Sequence, residues 1–411
     1  MSADRLTAVD AQSFWLSTKI PNDTFLLFGF AGAPADLDRA IADVRARAAG
    51  IRELAVRIDD SSRLHYPQWV HADAADVVVH AGGAWAECLD ATVALIDDQL
   101  DLSVRAWRLH VFPSVDGIPA VEGPGTVAVL QISHALGGGG RTALTAALMF
   151  GRDGALPDVD PLHVNPALLP VLGFRAARAQ RQLMADTEAG LVPPPTEPFP
   201  VLRTNNRPEG SRGLRTVVRA KEHLRGGTVT VAALTAISEA LAGHLDDRPQ
   251  RLGAELMIAK SGPRRAFNHF GAAGVGLYPE LPSADRAARI TADIAERRQR
   301  AAHPAIWAQT LASAATPAPL SRWGISQFDA EVRAAAVNGN TVVSSVNGGA
   351  CDYAFGGAPV ALLAAFPGLS PMMGLTHCVC GVGDTISVSV HAAESAIGEI
   401  DAYVARLEAA L

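Results

Sequence analysis

The segment TVAVLQISHALGGGGRTALTAALM, which begins at Thr126, restricts the architecture more than any other part of the chain. Its opening run is apolar and β-branched, four consecutive glycines follow, and the small residues after them favour helix. A buried strand entering a helix through a glycine turn is the building unit of an α/β fold. In an extended strand Ala128, Leu130, Ile132 and His134 face one way, and Val129, Gln131 and Ser133 face the other. His134 therefore continues a buried stripe into the most deformable turn of the chain. A histidine fixed at a strand end, with Gly137, Gly138, Gly139 and Gly140 leaving its far side open, suits a general base. The alternative is a core histidine bonded to a backbone carbonyl beside a tight turn.

Other chemistries find little support. The spacing G-x-x-x-x-G-K-[S/T] is absent, so the glycines do not form a nucleotide-phosphate loop of that kind. No G-x-S-x-G elbow offers a serine nucleophile. His377, Cys378 and Cys380 are neighbours on a β-rich run, where adjacent side chains point to opposite faces, and no second ligand pair accompanies them. They are expected to pack in the core, and no metal site is expected.

With 411 residues, 49% of them hydrophobic, the chain exceeds what one core usually serves, so two domains are expected. The net charge of −7 and the lack of a Lys/Arg cluster interleaved with aromatics argue against a nucleic-acid partner. Cys88, Cys351, Cys378 and Cys380 are too few and too scattered for a disulfide framework, which fits free thiols in a reducing compartment. The N-terminal stretch lacks a basic patch followed by an apolar run, and no apolar segment is long enough for a bilayer. The expected location is cytoplasmic, compatible with peripheral contact to a membrane or lipid droplet.

Residues 37–50 place Leu37, Ile41, Val44 and Ala48 on one helical stripe, and "VRAWRLHVF" reads as a strand. Residues 1–185 form a first domain carrying the histidine. The proline-rich stretch 186–213 excludes regular helix and central strand, and reads as a crossover linker. Residues 214–411 form a second domain, with helices over 230–245 and 284–302, a buried strand at "AELMIA", and a hairpin formed by "LTHCVC" and "TISVSVH" around the turn at 381–384. A last helix carries Ile397, Ile400, Val404, Leu407 and Leu411 at helical spacing.

The histidine segment resembles the H-H-x-x-x-D-G signature of the bacterial wax ester synthase/diacylglycerol acyltransferase (WS/DGAT) family, within the CoA-dependent acyltransferase superfamily. Ser133 stands at the first histidine, His134 at the second and catalytic one, Gly138 at the aspartate and Gly139 at the glycine. "LTAVDAQSFWL" resembles the family's opening. "LDLSVRAWRLHVF" resembles its P-L-W segment, with Trp107 kept and Arg105 and Ala106 at the first two letters. "FNHFGAAGVGL" around Asn268 and "VVSSVNGGA" around Gly348 resemble two later landmarks. The S-N-V-P-G-P landmark keeps Ser344, Val346 and Gly348 but has Ser345 and Asn347, and Thr230 and Val231 stand at the N-D pair.

The resemblance implies an α/β fold of two chloramphenicol-acetyltransferase-like domains, each a mixed β-sheet flanked by helices, with a channel between them. It implies acyl-CoA as co-substrate, no tightly bound cofactor, and a lipidic alcohol as acceptor, with His134 moving the proton. Ser133, Gln131, Ser345 and Asn347 are candidates for orienting that base or binding the oxyanion. The motif aspartate is mainly a brace for the loop in the family, so Gly138 removes a brace. Two other readings stand beside the transferase: a catalytically inactive relative that binds lipid or protein, and a condensation-type enzyme using a carrier-bound thioester.

Overall fold

The computed structural model describes residues 4–72, 76–245 and 251–411. The first half is built around three long antiparallel strands, β1 (Asp23–Phe30), β2 (Trp107–Asp116) and β3 (Gly125–Ser133). β3 lies between the other two, with Asp23 opposite Ser133 and Trp107 opposite Ile132. All of β3 is buried. Its alternation is the one expected: Ala128, Leu130 and Ile132 enter one core, Val127 and Val129 another. A short strand, Val77–Val79, runs parallel to β2 and makes the sheet mixed.

The second half contributes β4 (Arg212–Ala220), β5 (Gly253–Ala259), β6 (Phe270–Gly276) and β7 (Thr341–Asn347). Next come β8 (Ala358–Phe366), β9 (Leu375–Val382) and β10 (Thr385–Ala393). Six of them form one sheet in the order β4-β10-β9-β7-β5-β6, with β7 parallel to both β5 and β9. β8 does not join it. It pairs antiparallel with β1, so the second half extends the first half's sheet. A helix runs to Glu188 and β4 starts at Arg212, so regular structure enters both ends of the expected linker at 186–213, and β8 crosses back to the first half's sheet.

Helices cover both sheets. α1 (Ala8–Leu16), α2 (Leu37–Gly50) and α3 (Trp85–Asp97) belong to the first half. α2 begins at Asp36, whose carboxylate accepts from the Arg39 N–H at 2.9 Å, and buries Ala40, Ile41, Val44 and Ala48. α4 (Gly139–Met149) starts within the glycine run and passes between the two sheets, touching both β1 and β7. Its sequence explains how it fits there. Ala143, Ala146 and Ala147 are fully buried, and side chains this small let a helix pass between two sheets without a gap.

α5 (Leu169–Glu188) lies on the periphery, and α6 (Val229–His244) and α7 (Ser283–Ala301) fall within a residue or so of their expected bounds. α8 (Pro304–Ala314) and α9 (Ala318–Ser326) precede β7. The expected last helix is two pieces, a single turn at Glu394–Ile397 and α10 (Ile400–Ala410), separated at Gly398, where φ is +66°. Among the described residues no helix is long and apolar enough to cross a membrane.

The β9–β10 hairpin turns on Gly383 and Asp384, a tighter turn than the four residues expected. Alternation in β10 predicts one wet face, yet every residue after Thr385 is buried. The polar face is covered by β8, which belongs to the second half in sequence but to the first half's sheet in pairing: Ser387 donates to the Leu363 carbonyl of β8, and His391 bonds the Pro367 carbonyl just after it at 2.9 Å. The seam between the halves is therefore partly polar. His377 lies in the opposite core between Thr341 and Tyr403, each at 2.8 Å, whereas Cys378 and Cys380 join the first half's core. The three residues share no common site.

Burial depresses the pKa of His391 to about 4. The folded state then resists a proton that the unfolded chain accepts near 6.5, so stability is full above 6.5 and falls as pH drops toward 4. A shift of this size corresponds to roughly 3 kcal/mol. Urea midpoints measured from pH 7 to pH 4 should fall for the wild type and fall less for His391→Asn; equal pH slopes would refute this assignment.

Candidate functional site

β3 ends at Ser133 and the chain enters a 3-10 turn over His134–Leu136. Ser133 caps it, its hydroxyl accepting from the Ala135 N–H at 3.1 Å. His134 is thus the first residue of a turn and not the last of the strand. Gly137 follows with φ +114°, a conformation that L side chains rarely adopt, and α4 then starts.

The turn is held from the other half of the molecule. The Asn268 side chain donates to the His134 carbonyl at 2.9 Å and to an Asp10 carboxylate oxygen at 3.0 Å. Asp10, buried in α1, also accepts from the Asn268 N–H at 2.9 Å, the Phe267 N–H at 3.1 Å and the Thr7 hydroxyl at 2.8 Å. Phe270 meets the His134 ring edge-on, with centroids 5.6 Å apart. Burial raises the pKa of Asp10, and the bonds from Asn268, Thr7 and Phe267 oppose that rise. Burial lowers the pKa of His134, partly offset by hydrogen bonding from its own backbone and from Asn268. At neutral pH the imidazole is uncharged and able to accept a proton, and the residue remains half-buried rather than sealed.

The glycines serve a different purpose from the one expected. A Cβ on Gly138 would stand 3.0 Å from the Phe270 ring, one on Gly139 would stand 2.5 Å from Val346, and one on Gly137 would stand 2.8 Å from the Phe267 carbonyl. These three admit the second half of the protein, not an open approach. Only Gly140 faces free space.

The polar candidates scatter. Gln131 is fully buried and committed elsewhere: its Nε2 donates to Asp23 and to the Asp98 carbonyl, both at 2.7 Å, and its Oε1 lies 3.2 Å from His110. It orients neither His134 nor an oxyanion, because strand alternation turns it to the opposite face. Ser345 bonds Thr230 at 3.0 Å, so the S-N-V-P-G-P stretch and the N-D position of the resemblance meet. Asn347 accepts from the Gly349 N–H at 3.0 Å. Ser345 and Asn347 alternate with Val346, which presses on Gly139, so they point away from the histidine turn. Asp10 and Phe270 were not singled out in the sequence. The signal in the sequence is Thr7-x-x-Asp10 across the start of a helix, a cap pattern whose acid here also reaches across the seam.

A cavity of about 610 Å³ adjoins the turn, walled by Asp10, Glu53, Trp69, Leu136, Arg152 and Phe267 among others. It draws on both halves and reaches Leu136, two residues beyond His134.

The family described as "WS/DGAT C-terminal domain" matches residues 268–411. The chain carries a WS/DGAT C-terminal domain. That domain begins at Asn268, the residue that ties Asp10 to the His134 turn. Among solved structures, the fold is similar to a wax ester synthase/diacylglycerol acyltransferase from Marinobacter aquaeolei VT8, with TM-score 0.64, 17% identity, and coverage of 99% of this chain and 97% of that one. It is also similar to a variant starter condensation domain of rhizomide synthetase in complex with C8-CoA and Leu-SNAC, with TM-score 0.58, 12% identity, and coverage of 98% and 92%. A third similar structure is polyketide synthase associated protein 5 from Mycobacterium tuberculosis, with TM-score 0.55, 15% identity, and coverage of 99% and 97%. No curated protein matches. At these identities the structural likeness concerns the fold, and that fold is the expected one: mixed sheets flanked by helices.

Restoring an aspartate at Gly138 forces its Cβ against Phe270. Gly138→Asp should cost about 1–3 kcal/mol by overpacking, and Phe270→Ala should relieve much of that cost. A double-mutant cycle on urea unfolding checks the coupling; additive effects would show that the ring is not what excludes the side chain.

Proposed function

We propose that this protein is an acyl-CoA-dependent O-acyltransferase that moves a fatty acyl group to a lipidic hydroxyl, with His134 as general base. The WS/DGAT domain supports the acyltransferase family, and the condensation domain bound to C8-CoA is a relative in fold that holds an acyl-CoA. The observation that carries the reading is the placement of His134: still in contact with solvent, on a turn capped by Ser133 and held by Asn268 and Phe270 of the other half, where burial lowers its pKa.

In this scheme the acceptor hydroxyl gives its proton to the imidazole as its oxygen forms a bond to the thioester carbonyl carbon. The tetrahedral intermediate collapses, the C–S bond breaks, and the imidazolium returns the proton to the departing thiolate. The products are an ester and free CoA, and no acyl-enzyme is needed. The long donor arm approaches through the 610 Å³ cavity, which ends beside the turn. Ser133 acts on the base only through the backbone it caps.

A second reading has its own observation. Phe270 packs against Gly138, at the position where the resemblance puts a bracing aspartate, and this favours an inactive relative that keeps the body to bind lipid or protein.

Purified protein should release CoA from acyl-CoA when a suitable alcohol is supplied, and His134→Ala should lower kcat by about 10² to 10⁴ with unfolding unchanged. Because the folded pKa lies below 6.5, the acid limb of kcat/KM should also lie below 6.5. Undiminished release in the variant rejects the base. Absence of turnover with every donor, together with lipid binding that survives His134→Ala, selects the inactive reading.

A further inference from the structure

The fold settles what the side-chain nitrogen of Asn268 does and leaves its oxygen unused. The residue is 6% exposed and lies on the segment that enters β6. Its Nδ2 gives one hydrogen to Asp10 at 3.0 Å and the other to the His134 carbonyl at 2.9 Å. A carboxylate and a carbonyl are both acceptors, so the reverse placement of the amide would set three oxygens against one another. The amide therefore has one orientation. Asp10 is itself fixed for this contact, since it also accepts from the Phe267 and Asn268 backbone N–H groups and from the Thr7 hydroxyl.

That orientation turns Oδ1 away from Asp10. Oδ1 is a buried oxygen that forms no hydrogen bond of full geometry, and native structures seldom leave such a group without a task. Its neighbour supplies one. The Asn268 side chain lies within hydrogen-bonding reach of the His134 ring, where its presence favours the protonated ring. Phe270, which meets the same ring edge-on with centroids 5.6 Å apart, brings no polar atom to it. A contact that is loose while the ring is neutral has reason to tighten once the ring is charged, because a charged N–H forms shorter and stronger hydrogen bonds.

We propose that Asn268 is a positioning residue for His134: Asp10 fixes its amide, and Oδ1 accepts the ring N–H that faces the protein, which leaves the other ring nitrogen to exchange a proton with substrate. The bond strengthens as the imidazolium forms and slackens when the proton passes to the departing thiolate. No covalent bond changes at Asn268. The signature's brace acts within the histidine loop, whereas this one reaches the ring from the other half of the protein. The contact stands on geometry alone, and its effect on rate rests on the transferase reading.

Two variants of the full chain separate this role from a structural tie. Asn268→Ser keeps a donor for Asp10 but brings no acceptor to the ring. Asp10→Asn combined with Asn268→Asp exchanges amide and carboxylate, so a donor still meets an acceptor at the seam while a carboxylate oxygen now faces the ring. Histidine labelled with carbon-13 at Cε1 reports the ring by NMR, and His134→Gln identifies its signal. Compared with the wild type, that signal should titrate at lower pH in Asn268→Ser and at a pH higher by about one unit or more in the exchanged pair, because an acceptor on the N–H favours the protonated ring. Melting followed by circular dichroism shows which variants are folded, and Asn268→Ser decides alone if the exchanged pair is not. In CoA release, Asn268→Ser should lower kcat by about tenfold with KM little changed. Ring signals that titrate together in the wild type and the folded variants overturn the proposal, and so does an undiminished kcat in Asn268→Ser. A wild type that releases no CoA from any donor overturns the transferase reading instead, and the ring titrations still decide the contact.

Discussion

Asp10 is the point at which the two halves become one structure. It accepts hydrogen bonds from the Asn268 amide and backbone, the Phe267 backbone and the Thr7 hydroxyl in a site where burial penalises its charge. A buried carboxylate is tolerated only when such donors replace its water, and each donor would itself be left unsatisfied without the carboxylate. The dependence is therefore mutual. It fixes the segment Phe267–Asn268 to α1, and that segment in turn holds the His134 carbonyl. The 3-10 turn, the start of α4 and the ring of His134 inherit their position from this network.

β8 extends the same union to the sheets. By leaving the second half to pair with β1, it covers the polar face of β10, so that Ser387 and His391 find carbonyl partners at Leu363 and Pro367. The seam is thus closed by backbone pairing, by buried hydrogen bonds and by α4, whose alanines allow it to lie between the sheets. A cavity persists where α1, the His134 turn and Phe267 meet.

Much of this was legible because local rules act alone. The alternation in β3, the stripe of α2, and the bounds of α6 and α7 follow from periods that a neighbouring element does not alter. His377 between two core partners, facing away from Cys378, follows from the same period. The rest depends on tertiary partners. Ala358–Phe366 reads as a strand for either sheet, and nothing in its own composition sends it to β1. Gln131 looks available beside a histidine until Asp23 and Asp98 are seen to occupy it. The glycine run has the composition of an open loop, and only the approach of Phe267, Phe270 and Val346 reveals close packing.

Gly138 and Phe270 make the last connection. In the signature that this segment resembles, a bracing aspartate stands in the same loop as the histidine. Here the brace position is glycine, and the contacts that hold the turn come from Asn268 and Phe270 of the other half. The aim of the imidazole is consequently tied to how the halves sit against each other, and not to the loop alone. A rigid seam then becomes a requirement of the site. Asp10, the β8–β1 pairing and the snug glycines all provide that rigidity, and each is needed because the loop by itself is among the most deformable stretches the chain contains.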